Sequence, residues 1–148
     1  MADKRKTQEL TKVVKNWVVL VVDNEQDNIS VVEKVLSFEG AKVYSALNGV
    51  EGLAVLEIVT PTFILLDLSM PGMDGWEMLA KLRANPVIKH LPVIALTAHA
   101  MDGDRDRALE AGFDGYIAKP FRVSTLLNTI QTSLDNILAA SQGAGASI

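Results

Sequence analysis

The chain repeats one alternation five times: a short strand-like run, then a stretch that reads as a helix. The runs are Trp17 to Val22, Ala41 to Ser45, Thr62 to Leu66, Leu91 to Leu96 and Phe113 to Ala118. Short runs of this kind, set between helical stretches and bounded by Gly, Pro or Asn, read as strands. Trp17 to Val22 (WVVLVV) and Thr62 to Leu66 are apolar without a break, which belongs to strands covered on both faces, as in parallel sheets. Helical spacing appears in Ile29, Val32, Val35 and Leu36, stopping at Gly40, and in Val50, Leu53, Ala54, Leu56 and Ile58, stopping before Pro61, with Asn48 as cap. It returns in Trp76, Leu79 and Leu82, capped by Asp74 and closed by Asn85-Pro86. Met101 to Ala111 is a charged helix stopped by Gly112, and Val123, Leu127, Ile130, Leu134, Ile137 and Leu138 form a last amphipathic one. Strand and helix in such succession give right-handed βαβ units, hence an α/β fold with helices on both faces of a parallel sheet.

At 148 residues the chain has material for one domain with a real core. The boundaries read as a polar, Lys-rich extension over residues 1–16, a domain over 17–138, and a disordered tail over 139–148, where the residues are small and polar. Leading into the domain, Leu10, Val13, Val14 and Trp17 recur at helical spacing, and the extension reads either as a frayed basic tail or as a short helix. A net charge of −4 argues against nucleic acid as a partner. The absence of cysteine excludes disulfides and thiolate metal sites and fits a reducing cytoplasm. The longest apolar runs hold about six residues against the ~20 that span a bilayer, and the N-terminus lacks the apolar core of a signal peptide. The expectation is a cytoplasmic protein with neither nucleic acid nor membrane as partner.

Chemistry gathers at the strand ends. Asp23 follows the first run, Asp67 the third, Thr97 the fourth and Lys119 the fifth. In a parallel sheet all four project from the carboxyl edge, where ligands bind in open α/β sheets. An ionised Asp at the end of a dry strand needs compensation, and two neighbouring carboxylates repel. Oxygen ligands of this kind suit Mg²⁺, which takes one or two carboxylates together with phosphate oxygens. Lys119 supplies a point charge and Thr97 a hydroxyl for phosphoryl oxygens. Phosphoryl transfer asks for positioning and charge rather than elaborate covalent chemistry, and Asp67 can serve as the nucleophile.

Four segments carry a specific resemblance: VVDNE at the first strand end, LLDLSMPGMDG around Asp67, ALTAHA around Thr97, and GYIAKPF around Lys119. Together they resemble the CheY-like response-regulator receiver domain of two-component signalling over about Trp17 to Leu138. The resemblance implies a doubly wound, flavodoxin-like (βα)5 three-layer sandwich with strand order 2-1-3-4-5. It implies that Asp67 accepts a phosphoryl group from a phosphohistidine on a sensor histidine kinase or histidine phosphotransfer protein, with Mg²⁺. Asp23 matches the first of the family's acidic pair, Thr97 the switch hydroxyl, Tyr116 the switch aromatic and Lys119 the family's lysine, ahead of a cis Lys119-Pro120 bond. The family's backbone-carbonyl metal ligand falls at Ser69.

One position departs. The second acidic position is Asn24, whose amide oxygen can coordinate Mg²⁺ without adding charge. Glu25, one residue along, is a candidate substitute, and His99, two past Thr97, a candidate modulator of water access. Trp76, Met70, Met73 and Met78 read as turn and core packing or as a partner-facing patch, and the charged helix as a solvated face in a region that the resembled domains use for partner contact. The function implied is a stand-alone phosphoacceptor, a switch or a relay carrier, monomeric or weakly dimeric and not a metabolic enzyme. Phosphorylation would remodel the surface of the fourth helix, fifth strand and fifth helix toward a downstream protein. The rivals are a degenerate receiver acting as a non-phosphorylated interaction module, the receiver fragment of a longer regulator, and a phosphatase of haloacid-dehalogenase type. The last would need a second Asp where Ser69 stands.

Overall fold

The computed structural model describes residues 13–99 and 103–146. The elements run β1 (Val18–Val22), α1 (Gln26–Phe38), β2 (Lys42–Ala46), α2 (Gly49–Leu56), β3 (Phe63–Asp67), α3 (Gly75–Ala84), β4 (Val93–Thr97), α4 (Asp104–Ala111), β5 (Gly115–Ala118) and α5 (Val123–Ala146). The strands form one parallel sheet in the order β2-β1-β3-β4-β5. This is the doubly wound α/β architecture expected from the alternation.

The central strands are buried on both faces, and their period of two sends alternate side chains to two separate cores. Val19, Val21, Phe63, Leu65, Ile94 and Leu96 meet Ile29, Val32 and Leu36 of α1 and Leu126, Ile130 and Leu134 of α5. Leu20, Val22, Ile64, Leu66, Val93 and Ala95 meet Leu56 of α2, Met78, Leu79 and Leu82 of α3, and Ala108 of α4. Each fully buried Leu, Ile or Phe contributes about 1.5–3 kcal/mol relative to exposure.

Two boundaries shift from the sequence reading. Val13 to Asn16 do not stand apart from the domain. A single 3-10 turn, Val14–Asn16, seats Val14 and Trp17 in the α1/α5 core, with the Trp17 indole edge-on to Phe63 at 5.2 Å. Leu10, and with it the remainder of the segment read as a frayed tail or a short helix, lies outside the described residues. At the other end, α5 continues through Ala139 to Ala146 where a disordered tail was expected. The run Ala139-Ala140-Ser141-Gln142 contains no proline and good helix formers, so nothing local stops the helix at Leu138. The start expected for the charged helix at Met101 also lies outside the described residues; α4 begins after Gly103, which takes a left-handed conformation (φ 84°).

Two apolar stripes also rotate. On α2 the buried positions are Gly49, Gly52 and Leu56, while Val50 faces outward and Ile58, expected in the same stripe, lies exposed just past the helix end. The helix approaches on its glycines: a Cβ at Gly49 would collide with the side chain of Met73, and one at Gly52 with that of Met78. On α5 the core line is Leu126, Ile130 and Leu134, with Val123 exposed.

The amino edge of the sheet is closed by one arginine. Arg83, in the last turn of α3, donates to the carbonyls of Lys89 (2.7 Å), Leu91 (2.8 Å) and Gly112 (2.9 Å) and pairs with Asp114 at 2.8 Å. Asp114 in turn accepts from the amide of Val93 (2.8 Å). The end of α3, the entry to β4 and the turn after α4 are thus fastened together at the edge opposite the polar strand tips.

Candidate functional site

Asp67 is the last residue of β3, Asp23 the first beyond β1, and Lys119 the first beyond β5. Parallel pairing brings these tips to one edge. Both carboxylates are buried, Asp23 completely. The Lys119 ammonium lies between them, with Nζ 2.8 Å from Asp23 Oδ2 and 3.2 Å from Asp67 Oδ2. Each aspartate's other oxygen accepts from the amide two residues on: Glu25 for Asp23 (2.9 Å) and Ser69 for Asp67 (3.2 Å). The two side chains are therefore wired identically, one oxygen to the backbone and one to the shared lysine. The Lys119-Pro120 bond is cis, and the Lys119 amide donates to the Thr97 carbonyl at 2.7 Å. Gly75 closes the turn after β3, and a Cβ there would run into the Asp67 carbonyl oxygen.

Two carboxylates and one ammonium leave a surplus negative charge in a dry place. Burial pushes the Asp67 carboxyl up from 3.8 to about 6; the Asp23 carboxylate adds to the rise, and Lys119 and the Ser69 amide oppose it. For Lys119, burial acts against its charge, but hydrogen bonding to Asp23 and the nearby carboxylates outweigh it and raise its pKa above 10.5. Among the described residues no group of three or more His, Cys, Asp and Glu gathers as a metal site. The buried carboxylate pair with its unmet charge fits a hard divalent cation that keeps part of its water shell.

Comparison with known proteins decides the family. Residues 19–131 match the response regulator receiver domain. The chain belongs to that family. It is 40% identical over 113 residues to an uncharacterised 14.6 kDa protein in the sodA1 3′ region of Leptolyngbya boryana, covering 76% of this chain and 86% of the other. It is 32% identical over 116 residues to the polar-differentiation response regulator DivK of Brucella anthropi, covering 78% and 94%. Among solved structures, the receiver domain of sensor histidine kinase PA1611 from Pseudomonas aeruginosa superposes with a TM-score of 0.71 at 32% identity, covering 80% of this chain and 98% of that one. That structure has a magnesium ion coordinated in its active-site cleft.

The remaining candidate residues of this receiver occupy distinct places. Thr97 ends β4 and is buried, yet its hydroxyl is turned to α4: it donates to Asp104 Oδ2 at 3.0 Å and accepts from the His99 amide at 3.0 Å. Tyr116 lies within β5, opposite Ala95, half-buried under the Arg105 guanidinium at 4.8 Å from the ring centre. Asn24 and Ser69 are exposed beside their aspartates. Glu25 is also exposed, as the N-cap of α1, and contributes its amide to Asp23. His99 likewise contributes its backbone, to Thr97.

The structure does not bear out a partner-facing methionine patch. Met70 and Met78 are buried, Met73 rests over Gly49, and Trp76 stacks edge-on against Phe113 at 5.7 Å. Nor is α4 only a solvated face: Asp104 holds Thr97, Arg105 covers Tyr116, and Arg107 covers Trp76 at 5.2 Å. Asp104 is the residue the sequence reading missed. No motif marks it; its contact with Thr97 joins the end of β4 to the start of α4. Among the described residues no helix is long and apolar enough to cross a membrane.

Proposed function

We propose that this receiver is a phosphoacceptor switch in which Asp67 takes a phosphoryl group from a phosphohistidine of a histidine kinase or phosphotransfer protein. The supporting observation is the lysine bridge: Asp67 is buried at the centre of the carboxyl edge, with an ammonium 3.2 Å from one oxygen and a second carboxylate held by the same ammonium. With a carboxyl pKa of about 6, Asp67 is mostly ionised at neutral pH and can act as a nucleophile. One of its oxygens forms the new P–O bond as the P–N bond breaks, and the donor imidazole keeps the electron pair. Lys119 then meets charge on the phosphoryl oxygens without having to be brought in. Asp23, Asn24, Asp67 and the Ser69 carbonyl oxygen are the groups that would hold Mg²⁺, whose charge would ease the approach of one anion to another.

The phosphoryl group carries roughly −2 charge at neutral pH in place of the carboxylate's single negative charge. It offers Thr97 a second anionic acceptor, and departure of that hydroxyl from α4 opens space toward which Tyr116 can turn. The output surface is then the face made by α4, β5 and α5. It carries a groove of about 460 Å³ lined by residues including Arg105, Leu109, Tyr116, Asn128, Thr132 and Asn136. This is a population shift driven by contacts that differ between two states.

The deciding experiment is phosphotransfer from a labelled histidine kinase or small-molecule phosphodonor with Mg²⁺. Wild-type chain is expected to take label and Asp67→Asn to take none; label persisting in the variant would assign the acceptor elsewhere. Asn24 favours a second reading, the degenerate module, because it removes one negative charge from the cation site. Under the phosphoacceptor reading, Asn24→Asp is expected to tighten Mg²⁺ binding by about tenfold, the scale of one added charge a few ångströms away. Titration calorimetry measures this, and unchanged affinity would separate position 24 from the cation. A chain indifferent to beryllofluoride and Mg²⁺ would support the module instead.

A further inference from the structure

A threonine hydroxyl carries one proton, and here that proton is already committed. Thr97 Oγ1 donates to Asp104 Oδ2 at 3.0 Å, in a place where Thr97 is 2% exposed and the Asp104 side chain 13%. Hydrogen bonds to a carboxylate are stronger than neutral ones, and burial shields this one from water. Asp104 is itself held: its other oxygen pairs with Arg107 at 3.2 Å, and the Arg107 guanidinium lies over Trp76. Beside it, Arg105 covers Tyr116.

We infer that Asp104 is a positioning residue, a latch that keeps the Thr97 hydroxyl on α4 until a phosphoryl group at Asp67 outbids it. The inference deepens the phosphoacceptor reading and rests on it. Both acceptors are anionic, so the switch exchanges one charge-assisted hydrogen bond for another. The latch sets how far the resting state is favoured, and its release frees the first turn of α4, whose next residue covers Tyr116. The contact is thus a physical link between the strand edge and the α4–β5 surface.

The test uses Asp104→Ala and Asp104→Asn in the full chain. Without phosphodonor, the Thr97 χ1 rotamer read from three-bond couplings is expected to be single in wild type and averaged in Asp104→Ala. With beryllofluoride and Mg²⁺, Asp104→Ala is expected to bind about ten- to a hundredfold tighter than wild type, the effect of removing one competing charged hydrogen bond, and Asp104→Asn to fall between. Asn keeps the shape and position of Asp, so it separates a latch from a loosened helix. In a Thr97→Ala background, Asp104→Ala is expected to change nothing. Rotamer averaging in wild type, no tightening in Asp104→Ala, or an equal change in the Thr97→Ala background would each overturn the latch. If wild type binds beryllofluoride and only the Asp104 effect is missing, the latch alone falls. If wild type binds none, the phosphoacceptor reading falls and the latch with it.

Discussion

Lys119→Met is expected to destabilise the chain by about 3–5 kcal/mol in metal-free buffer at pH 8, the scale for removing one partner from a buried ion pair. It is read as a fall in the urea midpoint. The side chain is only 9% exposed and is the ammonium shared by Asp23 and Asp67. Methionine fills similar space, so the loss reports charge rather than packing. What remains is two buried carboxylates facing each other with only backbone amides to hold them. The pH dependence comes from the carboxylates. The folded chain holds Lys119 above 10.5, so the lysine is charged in both folded and unfolded chains from pH 5 to 8. Acid should therefore narrow the gap between variant and wild type, because protonating Asp67 removes the repulsion. Mg²⁺ should narrow it too. Equal midpoints at pH 8 would show that the lysine does not compensate the pair.

Asp67→Asn is expected to have the opposite sign: the metal-free chain gains about 1–3 kcal/mol at pH 8. Asp67 has a pKa of about 6 in the folded chain against 3.8 unfolded, so the native state binds this proton more tightly. That favours folding fully below 3.8 and is lost as pH rises through about 6. Above that range the native chain carries an ionised carboxylate whose desolvation is only partly offset. The asparagine amide never ionises, which removes the cost but forfeits part of the attraction to Lys119, so the gain stays within the range given. Urea denaturation at pH 5 and pH 8 checks it: the variant's advantage should grow with pH. A variant less stable than wild type at pH 8 would mean that the lysine pairing outweighs burial. The same substitution that removes the proposed acceptor is thus expected to relieve the fold.

The architecture was legible because it rests on period and punctuation. Unbroken apolar runs ending in Asp, Thr or Lys can sit comfortably in few settings, and β1, β3 and β4 occupy the one predicted. What failed depended on neighbours. Val50 and Ile58 looked like core residues of α2, yet that helix packs on Gly49 and Gly52, whose value lies in what they lack. The end of α5 escapes a reading by composition because small residues suggest a tail, whereas Ala139, Ala140 and Gln142 are good helix formers that continue the helix. At the site, Asp23, Asp67 and Lys119 could be placed from strand ends alone. Asp104 could not, since its contact with Thr97 spans a loop and no periodicity reaches across it.

The Arg83 fastening has a mechanical consequence. It grips the Gly112 carbonyl and Asp114, just past the C-terminal end of α4, while the opposite end of that helix is tied to the sheet through Thr97. Were the proposed latch at Thr97 to release, α4 would stay held at its Gly112 end, and movement is expected to concentrate in the helix's leading turn.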